Sequence, residues 1–142
     1  EWLEYKKTIT NSINTIQRHE QHYKKYFLNL EKISKECGAE YNPECTLNLL
    51  FILEDRPSGV AFGRFVNPKT ILIEYVGLID SAKGKGYGDF LTRSMINKVM
   101  DLCETVEVAS TDDYFLKFGF VLKENKMVAR SKDIIFPSKC KH

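Results

Sequence analysis

Six residues constrain this chain more than any other feature: Lys83-Gly84-Lys85-Gly86-Tyr87-Gly88. They follow an apolar run, Ile71-Leu72-Ile73-Glu74-Tyr75-Val76-Gly77-Leu78-Ile79, and precede a helix-like run from Asp89 to about Met100. A strand that feeds a glycine-rich turn opening a helix is an anion site. The glycines let successive backbone N–H groups converge, and the helix N-terminus adds the positive end of its dipole. Lys83 and Lys85 add full charges. Such a place suits a phosphate or pyrophosphate. The plainer alternative is a connection that needs glycine only for its turn.

The spacing excludes the two commonest phosphate loops. A P-loop puts a lysine directly after its second glycine, but Tyr87 stands after Gly86. A dinucleotide fingerprint needs a glycine three residues beyond its second. With Gly84 and Gly86 as the first pair, that position is Asp89. The acidic residue expected about 20 residues further on has only loose candidates near Glu104 and Glu107.

A third pattern does fit. From Lys83 the loop reads basic-x-x-Gly-x-Gly, with Gly86 and Gly88 as its glycines. Downstream, Tyr114-Phe115-Leu116-Lys117-Phe118-Gly119-Phe120 follows a strand-like Thr105-Val106-Glu107-Val108-Ala109. In order and spacing these segments resemble two motifs of the GCN5-related N-acetyltransferase (GNAT) family. One is the Gln/Arg-x-x-Gly-x-Gly/Ala pyrophosphate loop, the other the Phe-Tyr-x-Lys-x-Gly-Phe segment. The strand before the loop is similar to the family's fourth strand, and Met95 to Leu102 to its third helix. The resemblance spans roughly residues 46–136.

It implies a mixed α/β (α+β) fold in a single domain over residues 1–142. The central sheet would be antiparallel first, then parallel around a CoA wedge, and flanked by helices. Residues 1–40 would be helical and on the substrate side, with 46–136 as the acyl-CoA-binding core. The co-substrate implied is acetyl-CoA, and the reaction is acetyl transfer to a primary amine of a small molecule or peptide, by direct attack in a ternary complex. The implied cofactor contacts are Lys83, Gly84, Lys85, Gly86, Tyr87 and Gly88 on the pyrophosphate, and backbone groups of Leu78 and Ile79 on the pantetheine. Phe115 and Lys117 join them.

An ammonium with a pKa near 10.4 must lose a proton before it attacks, so a base is needed near neutrality. Glu74 is the candidate. It is a carboxylate inside an otherwise apolar strand, where burial would raise its pKa. Some members of the resembled family carry a glutamate near this position. The competing reading pairs Glu74 with a lysine on a solvated face. The family's leaving thiolate is usually protonated by the tyrosine of its second segment, but that position is Phe115, which has no proton to give. Tyr114 is the adjacent candidate, although one helical step turns a side chain by about 100°. A thiol of pKa near 8.5 also departs with little help. Two rival functions therefore stay open: a CoA-binding module without catalysis, and another nucleotide or phosphate binder using the same loop.

Several further expectations are independent of that site. Residues 2–36 have helical periodicity, with Asn11 and Ser12 as a candidate break and Cys37-Gly38 as the end. Residues 46–54, 60–66 and 70–79 read as an antiparallel meander, with turns at 55–59 and 67–69. Residues 105–110 form a parallel partner for 70–79, and 120–131 a last hairpin around Glu124-Asn125-Lys126. His19 and His22 sit three apart, a spacing that can share a metal, but no third ligand accompanies them and no metal is expected. The Tyr23, Tyr26 and Phe27 cluster reads as core. Cys37, Cys45, Cys103 and Cys140 lack Cys-x-x-Cys spacing and read as reduced thiols of a cytoplasmic protein. A net charge of +2, with lysines spread along the chain, argues for neither a nucleic-acid nor a membrane partner. No signal peptide is evident. A monomer or a homodimer is compatible with the pattern.

Overall fold

The computed structural model describes residues 30–138. Its apolar runs build one six-stranded sheet from β1 (Leu47–Leu53), β2 (Arg56–Asn67), β3 (Thr70–Leu78), β4 (Thr105–Val108), β5 (Val121–Lys123) and β6 (Lys126–Arg130). The spatial order is β1-β2-β3-β4-β6-β5. Every pairing is antiparallel except β3 with β4. That pair is parallel because helix α2 (Tyr87–Met100) carries the chain back across the sheet between them. The sheet is thus antiparallel first and parallel at the loop, as expected. The helical reading of residues 2–36 is seen in α1 (Leu30–Glu36), which ends at a left-handed Gly38 with φ +93°. The rest of that segment lies outside the described residues, with Asn11, Ser12, His19, His22, Tyr23, Tyr26 and Phe27, and so does Cys140. The other three cysteines are free thiols.

One turn differs from expectation. Residues 55–59 are not a turn, because β2 already begins at Arg56. Glu54 and Asp55 alone reverse the chain, with φ values of +50° and +63°. Two residues at positive φ make the tightest hairpin turn, whose twist matches that of the strands. Pro57 is tolerated beside a bulge: Ile52 pairs with Pro57 and Phe51 with Gly59, so Ser58 is the extra residue.

Helices α1 and α2 cover opposite faces. A Cβ built on Gly59 would meet Leu91 of α2, whereas Phe62, of opposite parity on β2, stacks on Tyr75, whose hydroxyl donates to the Cys37 carbonyl at the end of α1. On α2, Leu91, Met95, Ile96 and Val99 recur at helical spacing and are all buried.

A second bulge shapes β3. Phe62 pairs with Tyr75 but Gly63 pairs with Ile73, leaving Glu74 as the extra residue. The bulge shifts the strand's phase by one. Ile71 and Ile73 then share the α2 face with Leu78, and all three are buried. Gly63 is needed opposite it, since a Cβ there would lie 2.6 Å from the Leu72 carbonyl oxygen. Among the described residues no helix is long and apolar enough to cross a membrane.

Candidate functional site

The bulge at Glu74 also marks where β3 and β4 part. Their ladder runs from Thr70–Thr105 to Ile73–Val108 and closes with the Ala109 N–H donating to the Ile73 carbonyl at 2.9 Å. Beyond it, Ser110 turns back to Val108 while β3 continues to Leu78. The opening holds a cavity of about 320 Å³. Glu74, Tyr75 and Val76 line it from β3, Thr92 from α2, and Ser110, Tyr114 and Phe115 from the chain after β4. The sheet therefore has a slot that side chains from both faces reach.

Leu78 and Ile79 lie at the end of β3 and are buried. On the β2 side Leu78 pairs with Gly59, and the Ile79 N–H donates to the Ser58 carbonyl at 2.9 Å. A short 3-10 turn, Asp80–Ala82, then leads into the glycine loop. The Lys83 N–H turns inward to the Asp80 carbonyl (3.2 Å), and the ladder of α2 starts with the Phe90 N–H on the Gly86 carbonyl (3.3 Å). The amides from Gly84 to Asp89 precede that first ladder bond, where a helix has donors to spare. Gly84 and Gly86 take φ of +80° and +84°, and a Cβ on either would meet nothing within 4 Å. Space above these amides, not tight packing below, is what a cradle for a polyanion requires. Lys83 pairs with Asp80 at 3.1 Å.

Glu74 departs from expectation in two ways. Its partner is an arginine on the next strand, not a lysine: Arg64 Nε donates to Oε2 at 2.5 Å, and Asn42 Nδ2 reaches both oxygens at 3.2 and 3.1 Å. Its pKa is lowered, not raised. Burial pushes it up, but the donors Arg64, Asn42 and Cys45 and the Arg64 charge outweigh burial. Cys45 stays a thiol, since burial and the neighbouring Glu74 push its pKa up to about 12.

Tyr114 and Phe115 lie in a 3-10 turn, Asp113–Phe118, and both line the cavity despite being adjacent. Their rings meet edge to face at 5.2 Å. The Tyr114 hydroxyl donates to Asp89 in the first turn of α2. Burial and that carboxylate push its pKa up, so it holds its proton firmly. Asp89 also receives Arg93 Nε at 2.8 Å and has Lys117 Nζ at 3.6 Å. Lys117 in turn lies 4.3 Å over the Tyr114 ring. Asp89 thus ties the second segment to the helix that follows the loop.

Sequence reasoning did not single out Arg64, Asn42, Tyr75 or Asp89 as site residues. Arg64 carried a signal, as a charge inside the apolar run Val60–Val66. Asp89 carried another, as an acid directly after a basic, glycine-rich loop. Among the described residues no group of three or more His, Cys, Asp or Glu is placed to hold a metal.

No protein-family model and no curated protein matches the chain. Solved structures do. Ard1 from Thermoplasma volcanium superposes with a TM-score of 0.57 at 13% identity, covering 70% of this chain and 87% of that one. Naa50 of Arabidopsis thaliana, in complex with the bisubstrate analogue CoA-Ac-MVNAL, gives 0.54 at 15% identity over 73% and 90%. A GNAT family acetyltransferase from Brucella melitensis, in complex with acetyl-CoA, gives 0.53 at 16% identity over 61% and 59%. Identities this low speak for the backbone alone, and on that ground the chain has the fold of the GNAT acetyltransferases.

Proposed function

We propose that this protein is an acetyl-CoA-dependent N-acetyltransferase, moving an acetyl group from a thioester to a primary amine by direct attack within a ternary complex. The observation that carries the reading is the slot between β3 and β4. Thr92, which lines it, donates to the Gly88 carbonyl at the end of the glycine loop (2.8 Å), and on its wall is the carboxylate of Glu74, its pKa lowered. The neighbours of known fold point the same way, as two of them hold acetyl-CoA or a CoA bisubstrate analogue.

In this reading the amides from Gly84 to Gly88, with Lys83 and Lys85, hold the pyrophosphate, and Tyr87 opens the helix behind it. The β4-facing edge of β3 takes the pantetheine as an added strand through Leu78, and Ile79, whose N–H and carbonyl already bond Ser58 and Ala82, closes the end of that edge. Bound acetyl-CoA supplies the activated acetyl group. Glu74 accepts the ammonium proton of the amine, which enters beside Tyr75. A carboxylate with a lowered pKa is a modest base, but it is charged at every pH where the enzyme would work. Tyr114 keeps its proton on Asp89 and, with Phe115, forms the wall beside the sulfur. The thiolate leaves without a phenolic acid, its own pKa near 8.5 making this affordable. Lys117 balances Asp89 and lends positive charge beside the loop.

Calorimetric titration of acetyl-CoA, CoA and ATP, followed by a thiol-release assay over a panel of primary amines, tests the proposal. Tight acetyl-CoA binding with thiol release on one class of amine is expected. Binding without release across the panel would favour a CoA-binding module, and ATP binding in preference to CoA would overturn the reading.

A further inference from the structure

Glu74 is gripped from several sides by groups that proton transfer does not itself require. We infer that Arg64 and Asn42 are positioning residues, which together fix the Glu74 carboxylate at the wall of the slot. This rests on the reading of Glu74 as the base. The bulge supplies the need: Glu74 is the one β3 residue between Ile73 and Tyr75 without a partner on β2, so the ladder does not set its side-chain direction. Arg64 and Asn42 set it instead, from two different elements.

Arg64 comes from β2 and spends its Nε on Oε2. Asn42 comes from the connection between α1 and β1 and spans both oxygens. Asn42 is itself oriented, because its Oδ1 accepts the Glu44 N–H at 3.0 Å, which turns Nδ2 toward Glu74. The connection is pinned in turn, since the Cys45 carbonyl accepts from the Tyr41 hydroxyl at 3.0 Å and from Asn48 Nδ2 at 3.4 Å. A carboxylate has about four acceptor sites, and Arg64, Asn42 on both oxygens and Cys45 already make four contacts, so an incoming ammonium shares an oxygen with one of these donors. Other titratable groups nearby are the Cys45 thiol and Glu44 on the connection, with Asp112, Tyr75 and Tyr114 around the slot.

The test uses the full chain carrying Arg64→Met, Arg64→Lys or Asn42→Ala. The carboxyl carbon of Glu74 is titrated by NMR, and kcat/KM for a responsive amine is followed against pH. Arg64→Met is expected to raise the Glu74 midpoint by roughly one unit or more, the usual effect of losing an adjacent arginine. The acid limb of kcat/KM should move with it, and kcat should fall about tenfold or more from misplacement of the base. The KM for acetyl-CoA should hold. Arg64→Lys should recover much of the midpoint but little of kcat, because an ammonium lacks the planar fork. Asn42→Ala should move both readouts in the same direction by less, and it serves if Arg64→Met does not fold. A folded Arg64→Met with the parent's midpoint overturns the inference. If Glu74→Gln retains full turnover, the base reading fails instead, and the NMR midpoint alone decides whether Arg64 and Asn42 hold this carboxylate.

Discussion

Gly88→Ala separates binding from folding at the glycine loop. Gly88 is the second residue of α2, and its φ is not in the left-handed region. A Cβ there would lie 3.8 Å from Leu78 Cδ1, an ordinary contact. Alanine is better than glycine in a helix by up to about 1 kcal/mol, so the variant should be as stable as the parent or slightly more so. That same Cβ projects toward the end of β3, where the pyrophosphate and pantetheine must come close to the amides. Losing one charge-assisted amide bond to phosphate costs about 1.5–3 kcal/mol, which is roughly a tenfold to 10²-fold loss in affinity. The assay pairs calorimetry of acetyl-CoA binding with thermal unfolding of the unliganded protein. Gly86→Ala is the contrast. At φ +84° an alanine is strained by about 1–2 kcal/mol whatever the space around it, so both Tm and affinity should fall. Gly88→Ala with unchanged Tm and unchanged affinity would refute the idea that the ligand lies against this turn.

Other perturbations probe the slot. Gly63→Ala should cost about 1–3 kcal/mol, because its Cβ would overlap the Leu72 carbonyl and force the bulge to move; denaturant unfolding measures the loss, and turnover should fall with it as Glu74 shifts. Asp89 has its pKa lowered, burial being outweighed by Tyr114, Arg93 and Lys117. The stability it contributes is therefore complete above the usual carboxylate pKa of about 3.9 and is lost as pH falls through its lower folded value. Asp89→Asn should have a lower Tm than the parent at pH 7, and the two should converge as the pH falls below the lowered range of that carboxylate; parallel Tm–pH curves would contradict this. Tyr114→Phe should keep kcat within about threefold while lowering stability by about 1 kcal/mol, the worth of a buried hydrogen bond; a loss of 10²-fold or more, typical of a removed general acid, would restore Tyr114 to that role.

Much of the fold was legible because its signals are local. The period of Leu91, Met95, Ile96 and Val99, the apolar runs of β1 to β3, and the glycines before α2 each lie within a few residues of one another. The parallel return of β4 follows from the helix between it and β3. The N-terminal turn of β2 was misjudged because Pro57 and Gly59 look like turn residues, and only the pairing with β1 reveals that they flank a bulge.

The glycine loop could be read from its own residues, since glycine placement and a helix start are matters of backbone chemistry over six positions. The state of Glu74 could not. A one-residue phase slip is invisible in a pattern that still alternates on either side of it, and the groups that lower its pKa lie 10 and 32 residues away in sequence. The Asp89–Tyr114 contact spans 25 residues and joins a helix start to a turn that sequence treats as a separate motif. The amino-acid sequence by itself determined the elements, their order and the glycine-rich turn that opens α2. Tertiary structure alone decided which way the carboxylate and the phenol point and whether each keeps its proton, because charge and hydrogen bonding act through space between groups that chain order leaves far apart.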